Sequence, residues 1–435
     1  MKPSNHKLQS FFVLWSTQSL SQLGSAMTGF ALTLWLYQRT GSALQTALLS
    51  VCSYAPYVLA SIFAGAFSDR WDKKKTMLAC DTLAALSTVA VLALLKLDLL
   101  APWHMYALNA FSGLMNTVQQ PASDVAMTLI TPPSWYQRTS GLRSFSNSLV
   151  TILNPVLATA VFAFSGMDGV ILLDLLSFAA AFLALLFGVR IPTTAGLNAV
   201  KRLPFWETVK SGVRYLRENR MILTLILFLA GVNFVASAFD AALPALILPR
   251  ENGGQAVLGM VSSCAGIATL LGSVLCVVLP PPKNRVRVIS LTMLFSLGTE
   301  NFLLAFSRQP ALWCASQLIG WLLVPLMNAN LDVVLRKTIP VEMQGRVYSC
   351  RNSLQFFTIP LGLLSGGAMI DGVCEPWMAS QPSGSLAASL FGTGKGSGAA
   401  LLLFLLGILG VTVCLVFGRL LSKYAFREDE SQPPQ

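Results

Sequence analysis

Asp174, Asp240 and Glu300 stand inside long apolar runs that contain neither Lys nor Arg. An ionised acid at mid-bilayer costs about 2.5–3.5 kcal/mol on insertion scales. Without a basic partner, taking up a proton removes that cost, so each of the three is a candidate for coupling to a proton gradient. Asp240 leads: it lies late in the run Asn233-Phe234-…-Phe239-Asp240, four residues before Pro244, where a helix can open. An external vestibule, in which water keeps it ionised and ordinary, is its alternative. Asp174 can instead cap or bond a neighbouring helix, and Glu300 can sit near the outer end of a peripheral span. Asp81, Asp124 and Asp332 lie nearer the cytoplasmic ends, with Asp124 and Asp332 expected to pair with Arg143, Arg346 or Arg351.

Neutral polar residues mark helix faces that need not meet lipid. Gln18 and Gln22, four apart, share one face. Asn116, Asn328 and their neighbours do the same in later runs, and Phe234, Phe239 and Phe356 are the leading aromatic candidates for the same cavity. Each polar residue alone is accounted for by interhelical bonding, worth about 0.6 kcal/mol on average. Together, in spans one, four, ten and eleven, they suit a polar-rimmed cavity between two halves. Such a cavity suits bulky amphiphilic cargo; its acids favour cations, and phosphorylated or carboxylate substrates find no base to hold them.

The elements that position these groups follow from composition. Of 435 residues, 54% are apolar and only 11% charged, and the mean hydropathy is +0.63. Soluble domains carry roughly 25% charge, so a soluble enzyme, a disordered chain and a single-span receptor are excluded. Apolar runs fall at 11–37, 43–67, 76–97, 102–124, 142–164 and 169–189, then at 221–247, 256–280, 288–306, 311–334, 348–370 and 398–421. These predict an all-α membrane protein of twelve transmembrane helices in two pseudo-symmetric six-helix bundles. The expected domains are 1–190, a cytoplasmic linker at 191–220 and 221–435. In the linker Trp206, Val209, Val213 and Leu216 share one helical face and Lys210, Arg214 and Arg217 another. That pattern suits a basic amphipathic helix on the inner leaflet, or a solvated linker helix.

Twelve spans with both termini inside leave, of 30 Lys and Arg, only Arg39, Lys96, Arg250, Arg308 and Lys395 outside. The net charge of +11 therefore reads as loop asymmetry in a cell-membrane protein, and no nucleic-acid partner is expected. The halves repeat: Asp124-Val125 with Pro132 is matched by Asp332-Val333 with Pro340, and Asn147-Ser148-Leu149 with Pro155 by Asn352-Ser353-Leu354 with Pro360. The run from Gly372 to Ser397, rich in small residues, reads as a flexible external loop. Its Gly394-Lys395-Gly396 fails as a phosphate loop, because position 389 is Ser and 396 is Gly. No metal or other cofactor is expected, since the histidines are only His6 and His104 and the cysteines lie mostly within apolar runs. Disulfides and a cleaved signal peptide are likewise not expected.

Between runs two and three stands Gly65-Ala66-Phe67-Ser68-Asp69-Arg70-Trp71-Asp72-Lys73-Lys74. This resembles the signature loop of the major facilitator superfamily, and within it the chain looks most like the macrolide-efflux type, supported by Leu173-Asp174-Leu175 and Gln344-Gly345-Arg346-Val347-Tyr348-Ser349. Gly usually stands at the place of Asp72, so the turn is built differently here. The resemblance implies a conformational latch of Gly65, Asp69, Arg70, Lys73 and Lys74, with Asp69 meeting the start of span eleven near Gly345 and Arg346. A carboxylate at a helix N-terminus contributes about 0.3–1 kcal/mol; a charge cluster that only fixes topology is the alternative. It further implies proton-coupled antiport of hydrophobic drugs such as macrolides, by a monomer, with an ATP-binding efflux partner as the alternative. Export of a siderophore or other endogenous metabolite is the second reading on this scaffold. A membrane enzyme or scramblase comes after it, since no nucleophile–base pair is visible. A sensor would need an output domain, for which the tail after Phe426 is short.

Overall fold

The computed structural model describes residues 5–68, 72–132, 135–191, 205–280, 282–339 and 341–425. Among these the chain forms helices and turns, with no strand, as a bilayer demands of a chain whose backbone groups must pair internally. The helices are α1 Asn5–Thr40, α2 Ala43–Ser68, α3 Lys73–Lys96, α4 Pro102–Ile130, α5 Tyr136–Leu183, α6 Phe205–Glu218, α7 Arg220–Ile247 and α8 Gln255–Val278. They continue as α9 Arg285–Phe306, α10 Pro310–Leu322, α11 Val324–Thr338, α12 Val341–Phe356, α13 Thr358–Met369, α14 Glu375–Ala379, α15 Leu386–Phe391 and α16 Ser397–Ala425.

Among the described residues, 9 stretches are long and apolar enough to cross a membrane. One of them, Phe145–Gly188, is two spans: within α5 only Gly166 leaves helical geometry, at φ 65 and ψ −163, a conformation that glycine adopts without a Cβ clash. Helices α1 and α4 complete the twelve; their apolar windows are diluted by Gln, Asn, Ser and Thr. Two spans are broken. Helices α10 and α11 part at Leu323, just before Pro325, and α12 and α13 part at Phe357, before Pro360.

By contact the chain divides into two compact units, Met1–Gly41 with Leu48–Lys201, and Ser42–Ala47 with Arg202–Gln435. In the first, α1 packs along α5 and α3 along α4. The α1–α5 approach is close, since a Cβ on Gly24 would stand 3.0 Å from the Asp174 Cα. Two apolar clusters cap this unit. One gathers Phe11, Leu14, Met77, Ala122 and Leu185; the other gathers Met27, Ala31, Leu36, Met105, Val170 and Ile171. The level between them on α1, α3, α4 and α5 is polar.

In the second unit α7 is the central, mostly buried helix, with α13 and α16 packed against it. The linker helix α6 docks here too: Leu216 is buried and the Tyr215 hydroxyl donates to the Thr338 carbonyl at 3.0 Å. Arg214 and Arg217 remain exposed. Of the expected apolar edge, Leu216 thus packs on protein while Val213 is exposed.

The run from Gly372 to Ser397 is not the loose loop its composition suggests. A π-helical turn, Ile370–Cys374, leads into α14 and then α15. Arg308 donates to the Ala388 and Ser389 carbonyls at 3.3 and 2.6 Å, and Arg250 to those of Phe391 and Gly396 at 2.8 and 3.2 Å. Cations at the carbonyl end of a short helix offset its unpaired acceptors. Burial, then the charge of Arg308, push the Arg250 guanidinium down, and Glu375 pulls it back up. The Gly396 N–H, in the turn that tempted a phosphate reading, donates to Glu375 Oε1 at 2.7 Å.

Asp371, in that π-helical turn, serves the first turn of α2, which clusters with the second unit. Its carboxylate accepts from the Ala43 N–H at 3.1 Å, the Leu44 N–H at 2.9 Å and the Ser42 hydroxyl at 2.5 Å. These are helix N-terminal donors that have no intrahelical acceptor. Asp371→Ala is expected to lower stability by about 1–2 kcal/mol, read as a lower midpoint of thermal unfolding in detergent. Asp371→Asn should lie between.

Candidate functional site

Polar residues at helical spacing converge on one cavity of about 730 Å³ in the first unit. On α1 the stripe is Gln18, Gln22, Ser25 and Gly29; on α4 it is Ser112, Asn116, Gln119 and Ser123. Steps of three and four keep each stripe on one face, and the apolar clusters above and below leave this level as the place where polar groups can meet. Helix α3 adds Asp81 and Thr88, α5 adds Asn147 and Asp174, and Trp15, Tyr54 and Phe178 supply aromatic wall.

The two carboxylates are held by neutral donors. Asp81, half-buried, accepts from the Gln18 amide at 3.3 Å and the Gln119 amide at 2.5 Å. Asp174 is 4% exposed and accepts from the Ser25 and Thr28 hydroxyls, both at 3.0 Å, with Thr88 also bearing on it. The basic side chain on the wall, Arg143, is paired with Asp124, to which Gln120 also donates at 3.2 Å. The cavity therefore offers anionic oxygen, amides and hydroxyls. A cation with an apolar body is the ligand this lining favours.

Of the residues picked from the sequence, Gln18, Gln22, Asn116 and Asp174 line this cavity. Phe234, Phe239, Asn328 and Phe356 belong to the second unit, where Phe239 is buried, Phe234 and Phe356 are half-buried and Asn328 is exposed. Asp240 and Glu300 are also in that unit. Asp81, read from sequence as lying nearer a helix end, is on the cavity wall, with Gln119 as its main partner. The available signal was the face that Gln18 shares with Gln22, since Gln18 on that face donates to Asp81.

Two residues of the latch, Asp69 and Arg70, lie outside the described residues. Gly65 lies within α2, and Gly345 and Arg346 within α12. Asp72 is the N-cap of α3 and accepts from the Lys75 N–H at 2.9 Å, which is how the turn starts its helix without the usual glycine. Lys73 is buried. Lys74 donates to the Leu186 and Val189 carbonyls at 3.0 and 2.8 Å, tying the start of α3 to the π-helical end of the sixth span.

Residues 14–363 match the family model described as Major Facilitator Superfamily. Macrolide efflux protein A of Streptococcus pyogenes is 24% identical over 376 residues, covering 85% of this chain and 91% of that protein. Multidrug efflux pump Tap of Mycolicibacterium fortuitum is 24% identical over 362 residues, covering 80% and 86%. Among solved structures, a bacterial homologue of the iron transporter ferroportin in an inward-facing state aligns with TM-score 0.68 at 14% identity, covering 96% of this chain and 99% of that one.

Proposed function

The chain belongs to the Major Facilitator Superfamily, and from that premise we propose that it is a proton-coupled exporter of amphiphilic, amine-bearing drugs, with macrolides as the first cargo to test. A multi-pass membrane transporter needs a site that holds cargo, an energy source and a way to alternate its access. The observation that carries the reading is the cavity in which Asp81 and Asp174 are held by amides and hydroxyls while Arg143 is taken by Asp124. A protonated amine can replace part of what the amides give Asp81, and its apolar body can lie on Trp15, Tyr54 and Phe178. Asp174, closed in behind hydroxyls, senses that occupancy through α1, which carries Gln18, Ser25 and Thr28.

In this reading both termini face the cytoplasm of a cell membrane and the protein works as a monomer in the bilayer. A cytoplasmic-side latch of Gly65, Asp69, Arg70, Lys73 and Lys74 with Gly345 and Arg346 is part of the same proposal. Cargo shifts the equilibrium between access states only through its different affinity for each. Energy enters as protons moving down their gradient onto membrane carboxylates.

Erythromycin accumulation in a drug-sensitive bacterium, with and without the expressed protein, tests this. Expressing cells are expected to hold several-fold less drug, and a protonophore should erase the difference. Greater accumulation in expressing cells would reverse the direction, and export that ignores the protonophore would remove the proton.

A further inference from the structure

The linker helix α6 carries its bases outward from a fixed seat. Leu216 is buried and the Tyr215 hydroxyl donates to the Thr338 carbonyl at 3.0 Å, which fastens the last turns of α6 to the end of α11. That contact joins basic segments far apart in sequence. Arg214 and Arg217 flank Tyr215 on α6, Lys337 precedes Thr338 on α11, and Arg220 opens α7 two residues after α6 ends. All four are exposed, as is Lys210 one turn earlier on α6. Among the described residues, ion pairs form at Lys96–Asp168 and Arg143–Asp124, and none of these bases takes part in one. The exposed acid beside them on α6 is Glu218.

The patch stands where two spans end. The apolar stretch of α7 begins at Arg220, and that of α10 and α11 runs from Pro310 to Leu335. Lys337 is therefore about 3 Å of helix beyond it. Apolar side chains are open beside the bases: Val213, next to Arg214, is 38% exposed, and Leu227 is 45% exposed on the otherwise mostly buried α7. Leu227 follows Arg220 by seven residues, which is two helical turns and so the same face. Guanidinium and ammonium donors at a membrane edge, with open apolar surface running inward from one of them, fit a phosphate that carries acyl chains better than a free anion.

We propose that Arg214, Arg217, Arg220 and Lys337 form a binding site for the headgroup of an anionic phospholipid. The phosphate bridges α6 and α11, with guanidinium groups taking its oxygens in forked pairs and Lys337 acting as a point charge. Bridging makes the lipid a clamp: it holds α6 against the second half of a span that is already broken at Leu323. Lys210 adds a longer-range attraction, which physiological salt screens beyond about 8 Å. No bond is made or broken, and the site depends on neither the cargo nor the proton proposed above.

Full-length protein in a neutral detergent, with dioleoyl phosphatidylglycerol as probe and dioleoyl phosphatidylcholine as reference, tests the site. Phosphatidylglycerol should raise the thermal unfolding midpoint by about 3–6 °C over phosphatidylcholine, since a ligand that binds only the folded state stabilises it. Combining Arg214→Gln, Arg217→Gln and Lys337→Gln should remove roughly half or more of that rise. The midpoint of this triple variant in phosphatidylcholine should stay near wild type, because the three side chains are exposed. Tyr215→Phe keeps every base but frees α6 from the Thr338 carbonyl, and it too should lose part of the rise. A diffuse positive surface would not notice the missing hydroxyl, so this variant also decides the matter if the triple variant does not accumulate. An equal rise in wild type and triple variant, or the same rise from inorganic phosphate at matched concentration, overturns the lipid site. A rise lost in the triple variant but whole in Tyr215→Phe overturns the bridge between α6 and α11.

Discussion

Asp81→Asn is expected to reduce export of an amine-bearing macrolide by about tenfold to a hundredfold, while a neutral amphiphile of similar size is exported within about twofold of wild type. The substitution keeps the shape and one of the two acceptor oxygens, so that one of the Gln18 and Gln119 amides must flip to keep its hydrogen bond, and it removes the charge. A hydrogen bond to a charged group contributes about 1.5–3 kcal/mol, and each 1.4 kcal/mol is tenfold in affinity. Asp81 is the better choice over Asp174 because it is half-buried and open to the cavity, whereas Asp174 is enclosed by hydroxyls. Concentration–rate curves for both cargoes measure the effect. An equal loss for charged and neutral cargo would assign Asp81 to the scaffold.

Gly362→Val should destabilise the fold more than Asp371→Ala does. Gly362 and Gly366, four apart on α13, allow its backbone to lie against α7. A Cβ at 362 would be 2.4 Å from the Phe234 carbonyl oxygen, and one at 366 would be 2.9 Å from the Ala238 Cα. Small residues at this spacing let membrane helices pack backbone to backbone. The obstructing atoms belong to a helix backbone, so no flexible side chain can swing aside, and about 1–3 kcal/mol is the expected cost. Thermal unfolding in detergent should show it, or the variant should fail to accumulate. Gly372→Ala, where nothing lies within 4 Å, is the matched control and should be near neutral.

Most of the helical frame was legible in the chain. Apolar run lengths, the distribution of Lys and Arg, and the repeated Asp-Val and Asn-Ser-Leu elements all report on the same twelve crossings, because burying a backbone in hydrocarbon leaves few alternatives. The break at Gly166 was legible too, since the runs 142–164 and 169–189 stop on either side of it. Two details escaped. The segment after Gly372 looked loose by composition, yet Arg250, Arg308 and Glu375 order it from positions distant in sequence. The linker helix read as lying on the leaflet or as solvated, because amphipathicity does not say whether its apolar edge meets lipid or, as with Leu216 and Tyr215, another helix.

The functional groups divide along the same line. Residue types and hydropathy alone determined that Asp174, Asp240 and Glu300 sit in apolar runs with no base, and that Gln18 and Gln22 share a face, because these follow from local order and helical period. Tertiary structure decided that Asp81 stands with Asp174 on one cavity wall, that Arg143 is spent on Asp124, and that Glu300 lies in the space left by Gly320. Which acid meets an amide, a hydroxyl or an indole depends on how neighbouring helices rotate and approach. That is set by side-chain packing between residues tens to hundreds of positions apart, and no local pattern encodes it.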